Sequence, residues 1–327
     1  MFLIKVGLTY DLRSDYTAEG FTDEETAEFD KIETVEAIET ALHAAGYLTD
    51  RIGNIKSLAK RLIAGEKWDI VFNIAEGMYG VAREGQVPAL LDAYNIPYTF
   101  SDTLIMALTL HKGFTKSVIR DIGVPTADFA VVEKIEDISK IRFGYPLFAK
   151  PAAEGNGKGI SSDSIIKNKA ELVFTCSYLL KKFNGPVIVE EFLPGREFTV
   201  GIIGTGDNAR AVGTIEVVST EKGDQNVYTY ENKQNCHEFC EYILIKGDIA
   251  EKCEKVALDA WKGLGCRDAG RIDLRYDAKG VPNFLEVNPV AGLNPIDSDL
   301  PIICSKIGLP YNDLIKQIMD SAVKRIK

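Results

Sequence analysis

Short apolar runs alternate with stretches of helical spacing through the first hundred residues. Residues 2–9 (FLIKVGLT) form an apolar run that predicts a buried strand, and residues 68–74 predict a second. Between them Thr22 with Glu25 offers a capping box. Phe29, Ile32, Val35, Ile38, Leu42 and Ala45 follow at helical spacing as far as Gly46, a C-cap. Residues 86–94 read as helix and 96–99 as a short extended piece. Strands alternating with helices predict a parallel sheet, so residues 1–100 read as a small doubly wound α/β domain. Residues 104–110 and 112–121 then predict two helices. A strand, a short helix and a strand follow, ending at Lys150, and residues 168–183 form another helix. Strands are expected at 187–192, 198–203, 209–218 and 226–230, with an amphipathic helix at 249–264 bounded by Gly265. The last helix carries Leu314, Ile315, Ile318, Met319, Ala322 and Ile326 as a stripe that predicts core packing. No repeat and no low-complexity segment interrupts the chain.

Residues 271–289 (RIDLRYDAKGVPNFLEVNP) read as a structure and a site together. Arg271, Asp273 and Arg275 alternate with Ile272, Leu274 and Tyr276; Asp277-Ala278-Lys279-Gly280 is turn chemistry. Phe284, Glu286 and Asn288 then alternate with Leu285 and Val287. In an antiparallel hairpin, period two gathers Arg271, Asp273, Glu286 and Asn288 on one face. Ile272, Leu274, Leu285 and Val287 take the other. Two carboxylates and an amide oxygen suit a hard cation such as Mg²⁺ that also carries phosphate oxygens. A solvated face with a surface ion pair is the competing reading.

Composition narrows the class. The chain has 327 residues, enough for two or three domains around a large core. A net charge of −10 argues against a nucleic-acid or anionic-membrane surface, though not against a local phosphate pocket. The N-terminal apolar run is too short for a signal peptide and no stretch approaches a membrane span, so a cytoplasmic protein is expected. Six dispersed cysteines suit reduced thiols. Cys236-His237 with Cys240 offers three metal ligands but lacks a fourth at a zinc-like spacing.

Candidate chemistry lies at strand ends. Asn73-Ile74-Ala75-Glu76-Gly77 closes one strand and Arg83-Glu84-Gly85 opens the next helix, where polar groups can meet a small substrate. An ordinary loop and cap is the competing reading. Lys150 ends a strand, and Pro151 to Ile160 (PAAEGNGKGI) places glycines at alternate positions, so backbone N–H groups can close over phosphates. Neither the Walker pattern nor the dinucleotide fingerprint fits it. Glu190 and Glu191 end another strand. Residues 221–241 are polar, carry Lys233, and read as a mobile lid or a plain surface loop.

Six segments in order give the chain a family likeness: HKGFTK around Lys112, KPAAEGNGKGI, VEEFLPGREFTV, YENK around Lys233, GRIDL and FLEVNP. It resembles the ATP-grasp superfamily, in its D-alanine–D-alanine ligase-like branch. The resemblance implies an ATP-grasp fold, α/β with α+β character in the C-terminal half, behind an N-terminal doubly wound domain. Expected domains are 1–100, 101–186 and 187–327. It implies that Lys112 and Lys150 contact ATP phosphates and that the loop of Glu154, Gly155, Asn156, Gly157 and Gly159 folds over them. Glu190, Glu191, Phe192 and Leu193 match an adenine hinge, Glu197 the acid that holds ribose, and Lys233 a lid lysine near the γ-phosphate. Asp273, Glu286 and Asn288 match ligands of two Mg²⁺ ions, for which Mn²⁺ can substitute. Arg271 matches the cation beside the reacting carboxyl group.

The implied activity is ATP- and Mg²⁺-dependent joining of a small carboxylate to an amine through an acyl phosphate. Neither nucleic acid nor membrane is an expected partner, and a homodimer is compatible with the sequence. Departures fall at the amino-acid positions. The family's N-terminal glutamate is not evident in Gly7 to Leu12, its loop serine falls at Asn156, and its lid tyrosine at Gln234. Its serine-leucine pair falls at Asp297-Ser298, beyond Gly292. These changes lead to the expectation of a different acid or amine, with Glu76, Arg83, Gly292, Asp297 and Ser298 as substrate candidates. Asp297 would attract a basic amine, unless it pairs with a cation such as Arg275 or Lys306. The alternatives are D-alanine–D-alanine ligase itself, a kinase that stops at phosphoryl transfer, or a non-catalytic ATP-binding protein.

Overall fold

A computed structural model describes residues 3–220 and 236–326. The first sheet is parallel, in the order β2-β1-β3, built from β1 (Lys5–Thr9), β2 (Leu48–Gly53) and β3 (Ile70–Asn73). Every residue of β3 is buried, as for a strand covered on both faces. The helices here are α1 (Arg13–Ala18), α2 (Ile32–Ala44), α3 (Ile55–Ile63) and α4 (Gln86–Ala93). The Thr22–Glu25 box forms its hydrogen bonds, with Thr22 N donating to Glu25 Oε2 at 2.8 Å. It stabilises a turn, however, and α2 begins later, at Ile32, with no side-chain cap.

Next come α5 (Thr103–Leu110) and α6 (Lys112–Asp121), which meet at His111. A four-stranded antiparallel sheet follows in the order β4-β7-β5-β6, from β4 (Phe129–Val132), β5 (Leu147–Pro151), β6 (Ile165–Ile166) and β7 (Val187–Glu191). The helix α7 (Lys169–Phe183) packs on it through Leu172, Cys176 and Leu179. The third sheet is antiparallel, in the order β10-β9-β8-β11-β12. Its strands are β8 (Glu197–Ile203), β9 (Arg210–Ser219), β10 (Cys240–Ile245), β11 (Ala269–Tyr276) and β12 (Pro282–Asn288). The helix Asp248–Leu264 covers it with Cys253, Ala257, Ala260 and Trp261. The strand expected at 226–230 lies outside the described residues.

Both ends of the chain share one core. Leu314, Ile315, Ile318 and Met319 of the helix Tyr311–Ala322 pack with Val35, Ile38 and Leu42 of α2. The expected stripe is therefore core. Among the described residues no helix is long and apolar enough to cross a membrane.

The hairpin forms with the expected register at its open end. Arg271 faces Asn288 and Asp273 faces Glu286. A bulge then corrects the sequence reading, because Leu274 pairs with Phe284 and Leu285 becomes the extra residue. Phe284, not Leu285, joins the core with Ile272, Leu274 and Val287, and Leu285 turns into a cleft. β11 also depends on Gly270, where a Cβ would collide with the carbonyl of Asn288 and come within 2.7 Å of the Trp261 ring. Backbone and a fully buried indole have little room to give. Gly270→Ala should cost about 1–3 kcal/mol by overpacking and lower the urea midpoint. Gly144→Ala, with nothing within 4 Å of its Cβ, should leave the midpoint nearly unchanged. Equal midpoints for the two variants would contradict the close approach.

Candidate active site

The last residues of β5 and β7 and the first of β8 converge on β11 and β12 and enclose a cleft. Lys150, Glu190, Glu191, Phe192, Leu193, Glu197, Asp273, Leu285 and Glu286 all line it. Lys150 Nζ lies 3.3 Å from Glu190 Oε2, and Lys116 of α6 forms an ion pair with the other oxygen of Glu190. Burial works against the charged form of Glu190, yet the two lysines outweigh it and hold the carboxyl below the usual range. Burial likewise works against the Lys150 ammonium, and Glu190 and Glu286 hold its pKa above the ordinary value. Glu197 is raised by burial despite Arg275, whose Nη1 lies 3.1 Å away.

The glycine-rich loop covers one end of this cleft. Gly157 and Gly159 adopt φ of 70° and 73°, which side-chain-bearing residues rarely adopt. The loop is tied down from the first hundred residues. Gly155 N donates to Glu28 Oε1 at 2.7 Å, and the Asn156 amide donates to the Ala27 carbonyl at 2.8 Å. Arg83 binds Glu28 at 2.9 Å and the Ala153 carbonyl at 3.1 Å, and Lys158 stands 3.4 Å from Glu28. Lys112 donates to the Glu154 carbonyl at 2.6 Å and lies 3.4 Å from Glu286.

A second basin adjoins the first. Glu28, Asp30, Glu76, Glu84, Asn156, Gly292, Asp297 and Ser298 line it, and Lys112, Glu154, Gly155, Arg271, Glu286 and Asp299 line both. Arg271 stands at the junction, with Nη1 bound to Asp273 and Nε 3.3 Å from Asp299 Oδ2. The acidic wall titrates high. Burial raises Asp30 to about 7, helped by Asp11 against a bond from Thr34. Burial also raises Glu84 to about 7 despite Arg83, and puts Glu76 well above the usual range, with Glu84 and Glu28 adding repulsion.

The hairpin's donor set suits a hard cation. Asp273 accepts a bond from Thr199 Oγ1 at 2.8 Å, and the Asn288 amide nitrogen lies 3.4 Å from the same carboxyl. Among the described residues no three His, Cys, Asp or Glu side chains cluster as ligands. A cation there would rely on Asp273, Glu286, the amide oxygen of Asn288 after a flip, and phosphate oxygens, which is the preference of Mg²⁺.

Most sequence candidates come together, but not all as expected. Arg83 is only 7% exposed and braces the glycine-rich loop rather than lining the second basin. Asp297 sits 3.7 Å from Lys31, a cation the sequence did not suggest. Asp299, two residues on, is the carboxylate that reaches Arg271. Gly292 packs against Ser298, where a Cβ would lie 2.7 Å from Oγ. Lys233 and Gln234 fall outside the described residues. Glu28, Lys116 and Asp299 were missed. Only Lys116 had a signal, since it stands four positions after Lys112 on one helix and so shares its face.

The Glu28 brace carries a pH signature. Burial disfavours its charge, but Arg83 and Lys158 hold its pKa at about 2, below the ordinary 4.5. A depressed acid contributes stability that is complete above about 4.5 and lost as pH falls toward about 2. Urea midpoints across that window should fall more steeply for the natural protein than for Glu28→Gln. Parallel acid limbs would contradict the brace.

Kinship agrees with this geometry. The family described as D-ala D-ala ligase C-terminus matches residues 118–320. The chain is 32% identical over 262 residues to the D-alanine–D-alanine ligase of Bordetella avium (strain 197N), covering 79% of each protein. It is 32% identical over 290 residues to that of Aquifex aeolicus (strain VF5), covering 88% of this chain and 94% of the relative. A solved structure of D-alanine–D-alanine ligase from Bacillus anthracis complexed with ATP superposes with a TM-score of 0.75, at 20% identity and over 98% of each chain. The fold is therefore ATP-grasp, and the chain belongs to the D-alanine–D-alanine ligase family, as an ATP-dependent ligase that forms C–N bonds.

Proposed function

We propose that the chain phosphorylates a carboxylate from ATP and couples the acyl phosphate to an amine, in the manner of the D-alanine–D-alanine ligases. The observation that carries this reading is the meeting of two basins at Lys112, Arg271 and Glu286. In this reading residues 1–100 wall the substrate basin, 101–186 carry the phosphate loop, and 187–327 carry the hairpin. Lys112, Lys150 and the backbone of the 155–159 loop bind phosphates, Glu190 to Leu193 receive adenine, and Glu197 receives ribose. Lys233, outside the described residues, would reach the γ-phosphate. Asp273, Glu286 and Asn288 would hold two Mg²⁺ ions, or Mn²⁺, whose part is to neutralise phosphate charge during transfer.

A carboxylate is a poor electrophile, and phosphorylation gives it a good leaving group. Attack by the amine then builds an oxyanion that needs a fixed cation. Asp273 and Asp299 engage Nη1 and Nε of Arg271, which fixes the orientation of its guanidinium. Water must be excluded, because an acyl phosphate hydrolyses.

The names of the relatives from Bordetella avium and Aquifex aeolicus support D-alanine on both sides of the bond. One observation favours a second reading. Asp30, Glu76 and Glu84, whose carboxyls burial holds high, would be drawn into their charged form by an amine that carries extra positive charge. Asp297 adds less to this than its sequence position suggested, because Lys31 is its neighbour. ATP-dependent product formation, read by mass spectrometry, separates the two. D-alanine alone should give the dipeptide on the first reading. Product only with lysine, arginine or diamines would move the assignment to the second, and ADP release without any amide would contradict both.

A further inference from the structure

Lys116 has no exposed surface, yet it is a lysine at the heart of the nucleotide cleft's wall. Its ammonium pairs with Glu190 and donates to Thr126 Oγ1 at 3.0 Å and to the Phe284 carbonyl at 3.3 Å. It does not line the cleft, so whatever it does there is done through its neighbours. The neighbour that matters is Glu190, because the other oxygen of that carboxyl holds Lys150.

Two buried ammoniums share one buried carboxylate. The trio therefore carries one net positive charge, and Lys150 is its cation that lines the cleft. Remove Lys116, and Lys150 becomes the sole cation paired with Glu190. The pair is then neutral, and Lys150 is drawn back along the wall by an undivided carboxylate. Charges in a poorly screened interior act strongly on one another, so this change reaches a ligand that Lys116 never touches. We propose that Lys116 is the positioning residue of the nucleotide site: by dividing Glu190 with Lys150 it leaves the Lys150 charge available to phosphate. This rests on the reading of that cleft as the ATP site.

Burial pushes the Lys116 pKa below its ordinary value, with Lys150 adding to the shift and Glu190 opposing it. The Phe284 contact gives the lysine a second hold, on the residue just before the β12 bulge. That hold is purely structural, and the test has to separate it from the charge effect. Adenosine does so, because it fills the hinge but brings no phosphate.

Calorimetric titration of ATP and of adenosine, without other substrates, compares the natural protein, Lys116→Met and Lys116→Met/Glu190→Gln. Lys116→Met should weaken ATP by about tenfold or more and adenosine by less than about threefold. The double variant returns the net charge to Lys150 alone, and it should bind ATP more tightly than Lys116→Met does. Equal losses for ATP and adenosine would overturn the proposal in favour of a packing role, as would a double variant no tighter than the single. If Lys116→Met does not fold, Lys116→Gln and Lys116→Gln/Glu190→Gln provide the same comparison. Absence of ATP binding by the natural protein would overturn the nucleotide reading itself, and this proposal with it.

Discussion

The register between β11 and β12 is the constraint on which the site depends. Side chains alternate between faces, so a slip of one residue in either strand would carry its polar members into the core. Three features fix it. Arg271 opposes Asn288 and Asp273 opposes Glu286 across the pair. Gly270 lets the neighbouring backbone and Trp261 come close. Phe284 enters the core while its N–H donates to the Pro125 carbonyl at 2.8 Å. The bulge at Leu285 then lets one strand serve two demands, an apolar side chain toward the first cleft and a carboxylate toward Lys112.

Around that hairpin the problem is to bury cations without leaving them uncompensated. An unpaired buried charge is strongly unfavourable, while a cation fully matched by one anion offers little to a ligand. Each cation at the junction is instead held by a carboxylate with other partners. Asp273 serves Arg271 and also accepts from Thr199. Glu28 serves Arg83 and Lys158 and accepts from the loop backbone. This sharing spans distant parts of the chain, so the glycine-rich loop and the first hundred residues are mechanically joined next to the second basin.

What the sequence made legible was local. The hairpin face followed from period-two alternation on either side of a turn, and the loop from glycines after a strand-ending lysine. The last helix followed from its stripe. The bulge was not legible, because Leu285 and Phe284 are both apolar and only packing decides which one is buried. β2 carries polar residues on an edge and gave no alternation, though Ile55, Leu58 and Leu62 did mark α3 and went unread. Glu28 and Asp299 reach the site through contacts across the fold, the first bonded to Gly155 from 127 positions away. No local pattern announces such a contact. Asp297 answers to a family position, whereas Asp299 meets Arg271 through side-chain direction, which position alone does not show.

The central claim is that a carboxylate in the second basin takes the phosphoryl group at the Arg271 junction. Oxygen tracing tests it most directly. The acid substrate is labelled with ¹⁸O in its carboxyl group, beginning with D-alanine, and the phosphate released during amide formation is analysed by mass spectrometry. An acyl phosphate requires one labelled oxygen to leave with the phosphate for each bond formed. Unlabelled phosphate alongside amide product would contradict the account.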